Sequence, residues 1–518
     1  MYLKSVDIQG FRGINSLSLR LRPNMVFIGE NAWGKSSLLE ALSEIFNLKN
    51  ELYQFVDSDF HIHYGDQLQK CHQLSLRFTF CESIENERNL EHFAALKPFF
   101  MQDENQKYQL HIEVLGEHCG DKINTSYRLV DEQLQALPVP NAELLIQQII
   151  HYHPVYRFRD ARLNKAIYNV QLADEYAGVD EEFKSELAAL AQLIQYYFLT
   201  AHSRKQVKAQ GQDNGYHWEK LKALCLRLQK SPELAETVRE FISQFFVLEG
   251  KPTHIQMPIV LFEDMGAQLH PRMVSIFWEL VSQLQIQKIT TTNSMELLSQ
   301  MPLRDICRFV RYRDHTQAYS LDRHSLGKED LRKLSFHIHH NRGLALFSKT
   351  WILVEGETEV WILEELAKLL HLNLDMEGIR IVEFAQCGLR PLIKYAKAMG
   401  IEWYVLTDGD DAGRRYAETV NSFEEQVERR LTILPSSDIE HFFYKSGFQS
   451  VFIKLARWQQ VGKHQPIAKI IKRAIHQTSK PDLAIALAQE IERQGEQSIP
   501  RLFRKMFARV MTLTRKGE

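Results

Sequence analysis

The sequence predicts an α/β protein built of two successive units, and three observations carry that expectation. Near the N-terminus an apolar strand runs into a glycine-bounded loop and then a helix, "NMVFIGENAWGKSSLLEALSEIF". From residue 348 onward strands alternate with helices of about ten residues, the pattern of βαβ units on a parallel sheet. Between the two, residues from about 141 to 245 change to helical periodicity, which predicts a helical insertion.

Composition sets the frame. At 518 residues the chain exceeds one ordinary domain, and its length predicts roughly three units of about 150 residues, some of them fused. Hydrophobic residues at 44% and charged residues at 25% exclude a disordered chain. No apolar run approaches the roughly 18 residues of a membrane span, and "MYLKSVDIQGFRG" lacks a signal-peptide pattern. The expectation is a cytoplasmic protein without a membrane partner. Cys71, Cys81, Cys119, Cys225, Cys307 and Cys387 are scattered without a CxxC pair, as expected of thiols used as small core residues in a reducing compartment. The net charge of −2 hides an asymmetry: residues 441–518 hold 15 Lys or Arg against 5 Asp or Glu. Such an end suits either a phosphate backbone or the solvated faces of amphipathic helices.

In order along the chain, "YLKSVDIQGF" and "NSLSLRL" alternate as half-buried strands do, and "NMVFIG" follows Pro23 as a third strand. "HQLSLRFTF", "KYQLHIEVLG" and "INTSYRLV" predict a small antiparallel sheet. Helical segments follow ("AELLIQQII", "FKSELAALAQLIQYYF", "EKLKALCLRLQ", "LAETVREFISQFF"), interrupted by "SRKQVKAQGQDNG", a candidate mobile loop. Strands return at "PIVLFED" and "KITTTN". A helix-rich connector around 325–348 leads to "TWILVEG", "EVWILEELAKLL", "IRIVEF", "PLIKYAKAMG" and "IEWYVLTD", alternately strand and helix.

The loop "GENAWGKSS" satisfies G-x-x-x-x-G-K-[ST] in full, between a strand and a helix. Backbone N–H groups of such a loop converge on phosphate oxygens, Lys35 neutralises β/γ charge and the Ser36 hydroxyl can ligate Mg²⁺. Gly29, Asn31, Gly34, Lys35, Ser36 and Ser37 are therefore the nucleotide-binding candidates.

Together with "VDIQGFRGINSLSLRL", this loop resembles the head domain of RecF and SMC-like ABC-type ATPases. The resemblance implies that Arg12 reaches toward ATP, and that "IVLFEDMGAQLHP" is the Walker B strand. By that match Glu263 stands where the family has its Mg²⁺-binding aspartate and Asp264 where it has the catalytic glutamate, so the two acids are exchanged in type. Asn293 occupies the place of a switch histidine, and no partner-donated signature segment is found. Slow hydrolysis, or nucleotide binding that gates another site, is the expectation.

The stretch "VLTDGDDAGRR" drives a strand into Asp408, Asp410 and Asp411. An EF-hand is excluded, because the twelfth position from Asp408 is Thr419 and not a glutamate. "WILVEGETEV" puts Glu355 at the end of an earlier strand and Glu359 in the next helix, and the carboxyl ends of parallel strands share one edge. Glu359 can alternatively serve as a helix N-terminal acid, and Asp411 as a solvated turn residue. His337, His339 and His340 have no acidic or cysteine partner nearby and are read as surface or helix-packing residues.

A strand ending in E-G followed by one ending in D-x-D-x-x-G, here Glu355, Gly356, Asp408, Asp410 and Gly413, resembles the Toprim domain of topoisomerases, primases and related nucleases. Coupled to the N-terminal ATPase, the chain resembles the OLD (overcoming lysogenization defect) family of ATP-dependent endonucleases over nearly its whole length. That resemblance implies an ABC-type P-loop ATPase domain at 1–320 with the insertion at about 141–245, a connector at 321–347, and a Rossmann-like Toprim nuclease domain with basic helical additions at 348–518. It implies cleavage or nicking of DNA with two Mg²⁺ or Mn²⁺ ions at the Toprim site and one with the nucleotide. Glu355 and Asp408 would serve one ion, and Glu359 and Asp410 the second. "LPSSDIEHFF" nominates Glu440, beside Asp438, and "SKPDLAIALAQEI" nominates Lys480 for the charge on the scissile phosphate. Similar insertions mediate dimerisation in the family, so the resemblance implies a homodimer or higher oligomer, while helical periodicity alone equally fits packing within one subunit. The alternative expectation is a RecF-like, ATP-switched DNA-binding protein that does not cut. A topoisomerase is disfavoured, since nothing singles out a nucleophile among the 18 tyrosines.

Overall fold

The computed structural model describes residues 1–63, 69–158, 180–198, 214–243, 257–264, 269–283, 286–322, 325–338, 343–458 and 467–515. The chain forms two compact units, Met1–Ala318 and Tyr319–Glu518. The segment 203–215, expected to be a mobile loop, lies almost wholly outside the described residues, as do His339 and His340.

The first unit opens with β1 (Tyr2–Phe11), β2 (Ile14–Arg20), β3 (Asn24–Ile28) and helix α1 (Lys35–Ile45). Leu3, Val6 and Ile8 of β1 are fully buried, and a register shift between Leu3 and Ser5 explains why the inward positions slip by one residue. β4 (Gln73–Cys81), β5 (Tyr108–Cys119) and β6 (Lys122–Val130) join β1 and β2 in a single sheet of order β2-β1-β4-β5-β6. The sequence had separated these strands into two groups; the pairing of Tyr2–Gln9 with Ser75–Cys81 merges them. Helix α2 (Ala142–Tyr152) packs on β6.

The stretch 141–245 is not helical throughout. Pro154 ends α2, and buried Val155 and Tyr156 start β7 (Val155–Arg157), the edge of the parallel sheet. Beyond it lie helices α3 (Glu181–Phe198), α4 (Asn214–Lys230) and α5 (Leu234–Ser243). The sheet adds β8 (Ile259–Glu263), β9 (Gln287–Thr291), β10 (Ile306–Arg311) and β11 (Thr316–Ser320), in the order β7-β8-β9-β3-β10-β11, with β7, β8, β9, β3 and β10 running parallel. β3 is thus central: Met25 and Phe27 share a core with the apolar face of α1, while Val26 and Ile28 are buried on the opposite face. Four of the six cysteines are buried as expected, but Cys119 is exposed and Cys71 half-buried, because both lie at strand or loop ends outside that core.

The second unit is a parallel sheet of β12 (Thr350–Val354), β13 (Ile379–Glu383), β14 (Glu402–Thr407) and β15 (Leu431–Ile433), ordered β13-β12-β14-β15. Period-2 alternation sends Ile352, Val354, Tyr404 and Leu406 to one face. That face is covered by α6 (Glu357–Leu369), and the unit also holds α7 (Leu389–Ala398), α8 (Asp411–Asn421), α9 (Ile439–Phe443), α10 (Ile467–Gln477), α11 (Lys480–Gln494) and α12 (Arg501–Thr514). On the other face Trp351 stacks on Tyr395 of α7 at 6.2 Å between ring centres. His337 is buried, in keeping with a packing role.

Candidate functional site

In the first unit, register places the nucleotide candidates at one sheet edge. Glu263 pairs with Thr291, and Thr291 with Phe27, so the end of β8 is level with the start of the 29–36 loop. Gly34 holds φ +94 at the N-cap of α1, and a Cβ there would sit 2.8 Å from Ile14 Cγ1, so glycine is required on both counts. Lys35 Nζ donates to the carbonyls of Gly29 and Glu30. Burial pushes its ammonium below the usual lysine range, opposed by the fields of Asp264 and Glu30. Ser36 and Asn31 are exposed, and Ser37 Oγ accepts from the Gly13 N–H at 3.2 Å.

The two acids after β8 differ in surroundings. Glu263 accepts from the Arg157 guanidinium, whereas Asp264, at φ +43, is the acid whose field reaches Lys35. Arg157 escaped sequence reasoning, because three residues of strand are too short to show a period. Arg12 Nε donates to Asp59 at 2.9 Å, and its guanidinium also pairs with Glu40 and Glu44. Asp59 is fully buried and accepts in addition from Tyr53 Oη and the Val56 N–H, both at 2.9 Å, so Arg12 is aimed by a rigid acceptor. Asn293 is exposed beyond the end of β9.

In the second unit, Leu353 pairs with Val405 and Thr407 with Ile433. Glu355 therefore falls level with Thr407, one residue before Asp408, and the segment after β15 leads to Asp438 and Glu440 at the same edge. Helix starts fix the remaining acids. Glu359 Oε2 accepts from the Gly356 N–H at 3.1 Å, Asp410 Oδ1 from the Gly413 N–H at 2.7 Å, and Asp438 Oδ1 from the His441 N–H at 2.7 Å. Glu359 thus does serve its helix N-terminus. Asp411 is fully solvated, 3.6 Å from Arg414, as a turn residue would be. Gly413 is packed so closely that a Cβ would lie 1.9 Å from the Asp408 carbonyl oxygen.

These acids act on one another. Burial, then the charges of Glu359, Glu355, Asp438 and Glu440, push the Asp408 carboxyl up to about 8. Burial, with Glu440 and Glu355 adding to it, pushes Glu359 up to about 7. Glu355 is raised by burial and by Asp410, and Glu440 by burial and Asp438, partly offset by His441 and Lys480. Lys480, the first residue of α11, stands 3.5 Å from Glu357, an acid that sequence reasoning did not nominate. Among the described residues Glu355 Oε1 and Thr407 Oγ1 are buried without a hydrogen-bond partner.

That arrangement fits a divalent cation. Hard oxygen donors crowd together at a cost that a cation removes, and a buried carboxylate oxygen lacks a donor. Among the described residues no three His, Cys, Asp or Glu side chains form a ready-made cage, so ligation requires the carboxylates to close in. Among those residues, too, no helix is long and apolar enough to cross a membrane.

Comparison with known proteins adds the following. Residues 1–345 match the family described as "protein of unknown function (DUF2813)", and residues 346–410 the Toprim domain of the "overcoming lysogenization defect protein-like" family. The uncharacterized protein YbjD of Escherichia coli (strain K12) is 38% identical over 552 aligned positions, covering 99% of each chain. The C-terminal region of the Xanthomonas campestris pv. campestris OLD protein is similar over 33% of this chain and 96% of its own, at 19% identity and a TM-score of 0.27. The SMC head domain from Thermotoga maritima is similar over 62% of this chain and 100% of its own, at 13% identity and a TM-score of 0.32.

Proposed function

Because the chain belongs to the DUF2813 family and carries an OLD-like Toprim domain, we propose that it is an ATP-regulated endonuclease or nickase that hydrolyses DNA phosphodiester bonds with divalent metal. The observation that carries this reading is the convergence of Glu355, Glu359, Asp408 and Glu440, whose charges act on one another at one sheet edge beside an unpartnered carboxylate oxygen. Glu355, Glu359, Asp408, Asp410 and Glu440 would hold Mg²⁺ or Mn²⁺. A divalent cation there supplies Lewis-acid polarisation of the phosphate and a lowered pKa for water.

The chain's own residues do the rest. Asp410 and Asp438, tied down as helix caps, hold the ends of β14 and β15 in register. Lys480, whose field already reaches Glu440, places a positive charge where the scissile phosphate gains negative charge. In the first unit Gly29, Gly34, Lys35, Ser36 and Ser37 would cradle ATP with its Mg²⁺, and Arg12 would meet its phosphates. Asp264 would face the γ-phosphate and Glu263, held by Arg157, would support the metal. The proposal keeps an ATPase domain at 1–320, a connector at 321–347 and a Toprim nuclease domain at 348–518, and includes a homodimer or higher homo-oligomer in the cytoplasm.

The absence of a ready-made three-acid cage among the described residues favours a second reading, an ATP-switched DNA-binding protein that does not cut. A plasmid assay over Mg²⁺, Mn²⁺ and Ca²⁺, with and without ATP, decides between them. Cleavage that disappears in Asp408→Ala supports the nuclease; DNA retention on ATP without cleavage in any metal supports the switch.

A further inference from the structure

We infer that α12 and α10 form a cationic track that seats the phosphate backbone of DNA alongside the acidic edge, an inference that rests on the DNA-directed reading above and adds the surface that takes the substrate. Arg501, Arg504, Lys505, Arg509 and Arg515 are all exposed, and no Asp or Glu occurs between Arg501 and Arg515. Their spacing puts them on the helix face opposite the buried Phe503, Met506, Phe507, Val510 and Leu513.

A solvated helix face in this unit looks different. Lys368 pairs with Glu365, Arg414 with Asp411, and Arg493 with Glu490, each within its own helix. Among the described residues none of the five α12 cations has an ion pair; Arg504 donates to the Gln497 carbonyl at 3.1 Å and Arg509 to Tyr404 Oη at 3.5 Å. Five like charges left unpaired along one face repel one another, and a polyanion relieves that repulsion.

Position connects the track to the acids. Thr514 Oγ1 lies 2.8 Å from Thr350 Oγ1 at the start of β12, so the opposite end of α12 points toward the end that carries Glu355. There Phe503 stacks on Phe443 and meets Phe442 edge-on, both at 5.5 Å, and these rings belong to α9, whose first turn holds Glu440. α9 also packs on α10, whose exposed Lys469, Lys472 and Arg473 lie opposite buried Ile470, Ile471 and Ala474. The helix bearing Glu440 is therefore flanked by two cationic helices. At about 1.5 Å per residue α12 spans about 20 Å, the reach of several phosphates along a strand. The apolar face of α12 is used up in the core, which argues against a membrane surface as the partner.

The test uses the full chain and duplex DNA in EDTA, with fluorescence anisotropy read across salt concentrations. Combined Arg501→Gln, Arg504→Gln and Lys505→Gln should reduce the slope of log K against log salt by about 2 to 3 and weaken binding at least tenfold at about 0.1 M salt. The Arg501→Lys, Arg504→Lys pair should keep the slope, and Lys368→Gln should change neither slope nor affinity. An unchanged slope in the triple Gln variant, or a wild type that does not bind DNA, overturns the track. So does a triple variant that loses affinity for polyglutamate but not for DNA, which would mark a protein-binding face. The two readings fail separately: cleavage lost in Asp408→Ala with an unchanged Gln-variant slope removes the track alone, and an α12-dependent slope without cleavage in any metal removes the nuclease alone.

Discussion

Asp408 and Glu355 meet at the carboxyl edge of one parallel sheet, where the backbone of Asp408 supports the Glu355 carboxylate while the Glu355 charge, after burial and Glu359, raises the proton affinity of Asp408. Two acids more than fifty positions apart in the chain are thereby made dependent on what lies between them.

Removal of Asp408 should therefore abolish the chemistry. A metal ligand supports several kcal/mol of charge stabilisation, so Asp408→Ala should lower Mg²⁺-dependent plasmid cleavage at least about a hundredfold. Gel quantitation of nicked and linear plasmid measures this. Cleavage at wild-type rate in a preparation free of other nucleases would reject the assignment.

The same acid should cost the cation-free protein stability at alkaline pH. Burial and the neighbouring carboxylates push the Asp408 carboxyl from the ordinary carboxylate range up to about 8, so across that interval the folded state binds more protons than the unfolded state. Stability is then lost as pH rises through that window. Asp408→Asn removes the penalty. Because the group is partly solvated the effect is discounted to on the order of 1 kcal/mol, or about 2–4 °C in Tm at pH 8 in EDTA, shrinking toward pH 4. Mg²⁺ should raise the wild-type Tm and leave that of the variant unchanged. An Asp408→Asn protein that melts below wild type at pH 8 in EDTA would contradict the argument.

Gly413→Ala probes the backbone beneath the site. A Cβ 1.9 Å from the Asp408 carbonyl oxygen forces α8 and the end of β14 apart. Overpacking of this kind costs about 1–3 kcal/mol, read as a lowered urea midpoint, together with weakened Mg²⁺ protection of Tm. Equal midpoints would show that the helix start can yield freely.

Lys35→Ala addresses the nucleotide loop. Loss of the ammonium held by the Gly29 and Glu30 carbonyls should weaken binding of a fluorescent ATP analogue at least about tenfold, the loss of one charge-assisted hydrogen-bonding group to phosphate. Any ATP dependence of DNA cleavage should vanish with it, while metal protection of the second unit persists. Undiminished affinity for the analogue would place the nucleotide elsewhere.

The candidate residues of both sites were legible in the sequence itself. "GENAWGKSS" after an apolar strand, and strands ending at Glu355 and Asp408, are local patterns, since an apolar run followed by glycine and charge has few other ways to fold. The merging of β1 and β2 with β4–β6, and the strand that carries Arg157 to Glu263, depend on pairings between distant segments and left no period to read. The exchange of Glu263 and Asp264 was visible as a pair of letters; that one is held by Arg157 while the other faces Lys35 was not.

By itself the sequence determined which side chains are available, acids at strand ends, a phosphate loop and a basic C-terminal part, because residue type and short-range period are written in the chain. The alternation of strands and helices already predicted a shared edge for these acids; tertiary structure alone decided which strands are neighbours there and how deeply the acids are buried. The order β13-β12-β14-β15 sets neighbours that are not consecutive, and burial then turns their nearness into a mutual charge repulsion that no reading of composition contains.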